Sequence, residues 1–461
     1  MTEDPRGPLY AVSPLDGRYA ARTEPLVEYA SEAALMRARV QVEVEYLVAL
    51  ADLDEVPLAL SDDERHRLRA LYEEFEPADA RLVKQIETEG YGEYPATNHD
   101  VKAVEYFVRE RADVDGVEPW IHFGLTSEDV NNLAHRLLVR PAVLKVLVPE
   151  LRTVRAALAG MAREYADLPM LARTHGQPAT PTTFGKEMAV FATRLGRAID
   201  RIENAVDGLQ GKLAGASGTY AAHVVAYPDV DWRAFSRRFV EGLGFEAVEP
   251  TTQVNPCDDL ASVFDALRGA NRVLLDCDRD VWLYVSQRYL GQEAAAGETG
   301  SSTMPHKVNP IDFENSEGNL SKANSDLAFL GDYITTSRLQ RDLSDSTVKR
   351  NVGAALAYCL LGYGKLQDGL AKVVPNEQVM REDLEATPEV IGEAVQTILR
   401  REGHDDAYER VKELTRGKRV TLEDFRALFD DLAVPADVRE ELHALTPTGY
   451  TGLASDLADL E

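Results

Sequence analysis

The sequence is poor in cysteine and has no long apolar run. Its 461 residues include three cysteines, Cys257, Cys277 and Cys359, whose odd number and wide spacing match neither a disulfide framework nor a zinc site. No HExxH or Asp-rich loop suggests another metal site. No segment approaches the roughly 18 consecutive apolar residues that span a bilayer, and the acidic start MTEDPRG lacks the features of a signal peptide. We therefore expect a cytoplasmic protein.

Positive charge is also scarce. Lysine and arginine together number 50 against 78 acidic residues, so the formal net charge is −28, and arginine greatly outnumbers lysine. Such a surface repels nucleic acid and anionic membranes. The acidity could serve solubility alone, but we favour adaptation to a high-salt cytoplasm. At molar salt, screening over only ~3 Å makes dense negative charge tolerable.

What the sequence has in abundance is helical periodicity. Apolar residues recur at alternating three- and four-residue spacing in several long segments, and this repeat packs long helices nearly parallel to one another. Most prolines between 116 and 370 fall outside these segments, as uninterrupted helices require. The periodic segments are 144–165, 188–209, 263–284 and 320–330, with a fifth, richer in Gly and Ala, at 347–370.

These patterns predict an all-α protein of three domains. Residues 1–115 mix helices with acidic loops, 116–370 form a central long-helix bundle, and 371–461 return to shorter helices. In the first part, Ser61 and Glu64 predict a capping box at a helix start. Helices of about 28 residues are ~40 Å long and bury their apolar faces poorly in a monomer, so we expect further burial against other subunits.

The stretch 297–310 has no periodicity although long helical patterns flank it. Gly297 and Gly300 permit positive φ, while Pro305 and Pro310 constrain the path between them. The loop carries more chemistry than a connector needs, although a polar surface loop is the alternative. Its functional side chains are Ser301, Ser302, Thr303, His306, Lys307 and Asn309.

Two further motifs combine helix-start signals with possible site residues. In TNHDVKAVEYFVRER at 97–111, we expect Thr97 or Asn98 to cap the helix, which leaves His99 and Lys102 unexplained. In HFGLTSEDVNN at 122–132, Thr126 and Ser127 precede an acidic first turn. There, an N-cap and a binding role are equally good interpretations.

The motif RTHGQPATPTTFGKEMA places His175 in a turn broken by Gly176 and Pro178, just ahead of a predicted bundle helix. A histidine in such a turn is not on an apolar core face, which favours a functional role. A lone histidine is nevertheless only a candidate.

RDLSDSTVKRN at 341–351 is a cationic cluster around a predicted helix start. Hydroxyls, guanidinium groups and backbone N–H groups that converge there suit a phosphate, and a capped helix with solvated charges is the alternative. The segments AVSPLDGRY, with Arg18 and Tyr19, and TTQVNP, with Gln253, say little by themselves.

The string GSSTMPHKVNP resembles the signature loop of the fumarase/aspartase superfamily, whose members release fumarate by β-elimination. Other motifs are similar to its bacterial-type branch that acts on succinylated purine nucleotides, and they extend over nearly the whole chain. These motifs are SPLDGRY, NHDVKAVEYF, GLTSEDVNN, RTHGQPATP, SDSTVKRN, ELTRGKR and LTPTGY.

The resemblance implies a role for each matching position. His175 is expected to be the general acid and Ser301 the general base, with His99 in support. The implied substrate-binding residues are Arg18, Tyr19, Asn98, His99, Asp100, Thr126, Ser127, Gln253, Ser302, Lys307, Val308, Asn309, Asn315, Arg341, Ser346, Thr347, Val348, Lys349 and Arg350.

The resemblance also implies the reaction. We expect a carbon–nitrogen lyase that releases fumarate from adenylosuccinate, giving AMP, and from succinylaminoimidazole carboxamide ribotide. Neither cofactor nor metal is expected, and the implied assembly is a homotetramer in which three chains contribute to each site. Argininosuccinate lyase or another lyase of the superfamily is the alternative, and a catalytically silent helical-bundle protein is the alternative from a different class.

Overall fold

The computed structural model describes residues 8–292, 308–416 and 420–460, and most of them are helical. The α-helices, in chain order, are α1 Ala20–Thr23, α2 Val27–Ala30, α3 Glu32–Leu50, α4 Asp62–Glu73, α5 Pro77–Thr88, α6 Asp100–Arg111, α7 Ser127–Pro141, α8 Val148–Glu164, α9 Phe184–Asp207, α10 Ala221–Ala226, α11 Trp232–Gly242, α12 Asp258–Ser286, α13 Ile311–Ile334, α14 Ser344–Lys349, α15 Val352–Leu370, α16 Glu377–Glu385, α17 Gly392–Arg401, α18 Ala407–Thr415, α19 Leu422–Asp431, α20 Ala436–Ala444 and α21 Ala454–Ala458.

The long periodic segments form long helices as predicted, namely α8, α9, α12, α13 and α15. Their apolar stripes are buried, as Leu195, Ile199 and Ile202 on α9 illustrate. The capping box predicted at Ser61 and Glu64 is present at the start of α4. The prediction of an all-α fold is confirmed.

Short strands interrupt the helices and were not predicted. β1 Pro169–Thr174 and β2 Gln177–Thr183 form an antiparallel hairpin. The remaining pairs are β3 Gln210–Gly211 with β4 Glu246–Ala247, which are parallel, and β5 Leu290–Gln292 with β6 Val373–Pro375, which are antiparallel. These ribbons are too short to change the fold class.

The chain divides into two compact units, each built from three separate stretches. The first unit comprises Met1–Leu151, Ala198–Arg272 and Gly318–Tyr363; the second comprises Arg152–Arg197, Val273–Glu317 and Gly364–Glu461. The three-domain division expected from the sequence stays a prediction.

In the first unit, most of the surface of α3 is buried. Val40, Val42, Val44 and Tyr46, which follow one another at every second position, are fully inaccessible to solvent. Residues at this spacing lie on two opposite faces of a helix, and in this part of α3 only the stripe of Arg37, Gln41, Glu45 and Ala49 is partly exposed. It packs against α4, α6 and α7, and α6 and α7 both begin with residues of the candidate site.

The second unit has a core of its own around α16 to α20. Phe425 and Phe429 of α19 are fully buried, and they pack with apolar residues such as Leu399 and Leu442. Leu171 of β1 belongs to the same cluster. The hairpin of β1 and β2 is thereby anchored to packed helices at one end, while its turn lies among exposed residues.

Candidate active site

The helix α6 presents His99 and Asp100 at its N-terminus. The expected cap at Thr97 or Asn98 was wrong: the N-cap is His99, whose Nδ1 accepts the backbone N–H of Lys102 at 3.3 Å. The rest of the imidazole is largely exposed, since 54% of the His99 side chain is accessible. An imidazole nitrogen can accept this bond as a capping oxygen does, which sequence rules based on Ser, Thr, Asp and Asn do not anticipate.

Asp100 is held by a buried arginine. Its Oδ2 lies 2.8 Å from Nη2 of Arg39, and its Oδ1 accepts the N–H of Val101 at 2.9 Å. Burial alone raises the pKa of Asp100, but the charge and hydrogen bonding of Arg39 outweigh burial and lower it. Arg39 also donates to Asn131 of α7, so this guanidinium links the starts of α6 and α7.

Thr126 and Ser127 stand half-buried at the start of α7, above a buried carboxylate. Asp129 accepts the N–H of Thr126 at 2.9 Å and completes a capping box. The ammonium of Lys212, at 2.8 Å, and the backbone N–H groups of 214–215 also donate to Asp129. Asp129 therefore ties the loop that carries the two hydroxyls to a second segment of the chain.

The cationic segment 341–350 surrounds the short helix α14. Lys349 is almost fully buried, with its ammonium 2.8 Å from Asp345 and 3.8 Å from Glu128. Arg341 lies 3.3 Å from the same Glu128, whereas Arg350 is exposed. Although burial disfavours its charge, the neighbouring acidic groups keep the pKa of Lys349 above its ordinary value.

Glu128 lies among the candidate site residues and was missed by sequence reasoning. The sequence pattern indicated only that an acidic residue lies in the first turn of α7. The Glu128 side chain is nevertheless only 2% exposed, and it faces two cations of the 341–350 segment. Thus Glu128 joins the helix that bears Thr126 and Ser127 to the segment proposed for phosphate. Ser346, Thr347 and Val348 lie on α14 within that segment.

Gln253 and the pair Arg18–Tyr19 occupy irregular segments of the first unit. The Gln253 side-chain amide donates to the Ala216 carbonyl at 2.8 Å, and its backbone N–H donates to the side chain of Gln340 at 3.0 Å. Gln253 therefore lies beside Gln340, the residue that precedes Arg341 in the sequence. Tyr19 precedes α1 as its N-cap residue and is half-buried, while Arg18 is exposed.

His122 is a second residue that sequence reasoning missed. Its Nδ1 lies 2.6 Å from Oε1 of the fully buried Glu43, and its Nε2 lies 3.8 Å from Glu105. Lys102, left unexplained by its position in the helix, bonds the other oxygen of Glu105. Burial lowers the pKa of His122, but the two carboxylates raise it to about 9. A buried imidazolium therefore sits four residues before Thr126.

This imidazolium should make stability depend on pH. The folded pKa of about 9 exceeds the ordinary 6.5, so its contribution is complete below pH 6.5 and is lost as pH rises through 9. At about 1.4 kcal/mol per pKa unit, the loss is about 3 kcal/mol. Urea unfolding should show this decline in the wild type and a much smaller one in His122→Gln. Parallel pH curves for the two proteins would contradict the assignment.

His175 forms the tip of the β1–β2 hairpin in the second unit. The two-residue connection His175–Gly176 has φ of 54° and 73°, the signature of a type I′ turn. A non-glycine residue rarely adopts such a φ. The imidazole is exposed on this turn, which leaves it accessible to a substrate. The sequence indicated a turn here but not the hairpin, because prolines in β2 argued against a strand.

The signature loop is described only at its end. Val308 and Asn309 lead into α13, and the Val308 carbonyl accepts the side-chain amide of Gln292 at 3.3 Å. Asn315 is half-buried on α13. The predicted residues Ser301, Ser302 and Lys307, with most of the loop 297–310, lie outside the described residues.

The described residues contain no group of three or more His, Cys, Asp or Glu side chains suited to a metal ion. Within the same part of the chain, no helix has the length and apolar character needed to cross a bilayer. The three cysteines are free and buried, as expected for small core residues.

Comparison with solved structures supports the fold. The chain is similar to a fumarate lyase from Mesorhizobium sp. BNC1, with a TM-score of 0.74 at 21% identity, over 95% of this chain and 96% of that one. It is also similar to the 3-carboxy-cis,cis-muconate lactonizing enzyme from Pseudomonas putida, with a TM-score of 0.72 at 20% identity, over 94% and 95% of the two chains.

Sequence comparison is more specific. The chain is 45% identical to the adenylosuccinate lyase of Dictyostelium discoideum over 97% of each chain, and 45% identical to those of Haemophilus influenzae and Escherichia coli K12 over 98% of each. A lyase family model matches residues 17–324, and a model of the adenylosuccinate lyase C-terminal region matches 337–451. The chain therefore belongs to the adenylosuccinate lyase family.

Proposed function

We propose that the protein cleaves adenylosuccinate into AMP and fumarate, and removes fumarate from succinylaminoimidazole carboxamide ribotide in the same way. One observation carries this proposal: relatives that bear the name adenylosuccinate lyase share 45% of residues with this chain over nearly the full length of both. Both substrates carry a succinyl group on nitrogen, so one β-elimination site serves both as a carbon–nitrogen lyase in purine biosynthesis.

The reaction breaks a C–H and a C–N bond of the succinyl group. Ser301, ionised to its alkoxide, takes the proton from the carbon next to a carboxylate and becomes a neutral hydroxyl, and negative charge collects on that carboxylate. The C–N bond then breaks as His175 gives a proton to the departing nitrogen. Lys307 and Asn309 stabilise the developing charge, and losing one such donor typically costs about 10²–10³ in rate.

His99, Asp100, Thr126 and Ser127 take the succinyl end of the substrate in this proposal. Their support is the network in the first unit: Arg39 holds Asp100, and Asp129 holds the start of α7. Groups fixed in this way need little reorganisation when charge develops. Gln253, Ser302 and Asn315 are proposed as further substrate contacts.

The nucleotide phosphate is assigned to the segment 341–350, together with Arg18 and Tyr19. Arg350 and Arg18 are exposed, and a guanidinium can bind a phosphate through two parallel hydrogen bonds. The charges of Arg341 and Lys349 are already opposed by Glu128 and the acid of α14. We infer that these two cations act largely by fixing the segment, and Thr347 and Val348 offer backbone groups to the phosphate.

A fumarate assay tests the function and separates it from the alternatives. Adenylosuccinate, argininosuccinate, malate and aspartate are offered in turn at low and high salt, and fumarate is followed by absorbance. Release from adenylosuccinate alone is expected. Release from argininosuccinate instead would indicate the runner-up lyase, and no release from any substrate at either salt would indicate a silent bundle protein.

We further propose a homotetramer with shared active sites. Apolar side chains that are about half exposed on the long helices support further burial in an assembly, for example Trp282 at 44%, Leu283 at 47% and Phe329 at 52%. Such a site draws His175 and Ser301 from different chains.

Mixing two inactive variants tests this sharing. If His175→Ala and Ser301→Ala chains are refolded together, about one quarter of the sites in a random tetramer carry both wild-type residues. We expect activity near that fraction, measured as fumarate release, with each variant refolded alone as the control. No recovery in a mixture shown to be tetrameric would place both residues in one chain.

The same enzyme is proposed to work in the cytoplasm, at high salt. The formal charge of −28 supports the proposal of high salt, because salt screens the repulsion among the negative charges of the protein. Higher activity and a higher melting temperature in molar KCl than in dilute buffer are the expected observations.

A further inference from the structure

A cavity in the first unit lies beside the candidate site and is not explained by it. Its volume is about 370 Å³, near the lower end for small-molecule sites. Among the predicted site residues in the described part of the chain, Asp100, Lys349 and Arg350 line it, whereas His99, Ser127 and Arg341 do not. The cavity thus shares part of its lining with the candidate site.

Part of the cavity lining is apolar. Residues of α3, α7 and α15 build it, including Leu35, Leu138, Val352 and Leu356. An apolar ring or short chain placed there would be removed from water, which is favourable in proportion to the area it buries.

Four cationic side chains also line the cavity, together with the carboxylates of Glu32, Glu87 and Asp100. Two of them are neutralised, because Arg39 pairs with Asp100 and the Lys349 ammonium pairs with an acid of α14. Arg350 differs: no carboxylate of the described residues lies within 4 Å of it, and it has no hydrogen-bonding side-chain partner among them. The Lys84 ammonium pairs with Glu32 and Glu87, whose carboxylates also line the cavity, so Lys84 offsets their negative charge.

His135 is a further polar group in the cavity lining. The ring is half-buried and makes no hydrogen bond within the described part of the chain. Burial, with the nearby charges of Lys349 and Arg39, lowers the pKa of His135 well below its ordinary value, so the imidazole is neutral. A neutral imidazole offers one donor and one acceptor to a ligand.

We propose that this cavity binds a small oxyanion joined to an apolar ring or chain, and that the bound ligand opposes nucleotide binding by engaging Arg350. The Arg350 guanidinium takes the oxyanion, and Lys84 keeps the carboxylates of Glu32 and Glu87 from repelling it. His135 bonds the oxyanion or the adjoining atom, and the leucine and valine side chains cover the apolar part. The effect on nucleotide binding, the second half of this inference, rests on the proposed function. Binding of the ligand to the cavity, the first half, does not.

Direct binding tests the first half. Phenyl phosphate, inorganic phosphate and phenol are titrated into the full-length protein by calorimetry. Phenyl phosphate should bind at least tenfold more tightly than either of the others, because only it satisfies both the apolar and the cationic parts of the lining. Equal affinity for phenyl phosphate and inorganic phosphate would overturn the proposal, as would no binding of phenyl phosphate.

Variants localise the ligand. Lys84→Met and His135→Phe should each weaken phenyl phosphate binding at least fivefold, while Lys145→Met, which removes an exposed lysine elsewhere, should not. In the fumarate assay, phenyl phosphate should raise the KM for adenylosuccinate without lowering kcat, and much less so in Lys84→Met. Unchanged inhibition in both cavity variants would place the compound in the nucleotide site and overturn the inference. Calorimetric binding without any fumarate release would instead refute the proposed function alone.

Discussion

Replacing His175 by asparagine should lower kcat for adenylosuccinate cleavage by roughly 10²–10⁴, the usual contribution of a general acid. Asparagine is chosen because it adopts positive φ more readily than most residues, and Asn-Gly is a preferred sequence for a type I′ turn. The hairpin should therefore keep its form, since His175 has φ of 54° and is followed by Gly176. Fumarate release gives the rate, and thermal unfolding should be unchanged.

The pH profile distinguishes an acid from a structural residue. In the wild type, kcat should fall at high pH, where a general acid no longer holds the proton that it must donate. In His175→Asn this decline should disappear, because the side chain that protonates the leaving nitrogen is gone. Wild-type activity in His175→Asn would rule out the acid role. A variant with a low rate and a retained decline would assign the proton to another group.

Replacing Lys212 by methionine should destabilise the protein by about 3–5 kcal/mol, the range for breaking a buried ion pair from one side. Lys212 and Asp129 are both fully buried, and their charges face each other at 2.8 Å. The substitution leaves the Asp129 carboxylate uncompensated except for backbone N–H groups. Urea unfolding at pH 7 measures the change.

The matched control for this variant is Arg233→Met. Arg233 forms a bidentate ion pair with Glu249 at 2.7 and 3.0 Å, yet 69% of its side chain is exposed. The same removal of a positive charge should therefore leave the unfolding midpoint nearly unchanged, because solvent screens an exposed pair. Similar midpoints for Lys212→Met and Arg233→Met would show that Asp129 is adequately solvated without its lysine.

Local patterns predicted most of the helices but not all of their boundaries. The capping box at Ser61 was predicted because both partners lie within four residues of each other, and the long apolar stripes were predicted for the same reason. The cap of α6 was misassigned because His99 is not a usual capping residue. The β1–β2 hairpin was missed because its tip residue, His175, and the prolines of β2 are poor local signals for a strand.

In the candidate site, too, local motifs identified some residues and missed others. Motifs and spacing identified His99, Asp100, Thr126 and His175 without a structure. They did not identify Glu128 or His122, because an acid in a first helical turn and a histidine before a glycine loop have ordinary local explanations. Their importance comes from partners such as Glu43 and Lys349, which are distant in the sequence.

By itself, the sequence determined the all-α class, the long helices and the family, since periodicity and motifs are properties of neighbouring residues. Only the tertiary structure decided which charges are buried together: Asp129 with Lys212, Glu43 with His122, and Glu128 with Lys349. The reason is physical. Whether an ionised side chain is solvated or paired depends on groups that folding brings from other parts of the chain, and no local pattern records them.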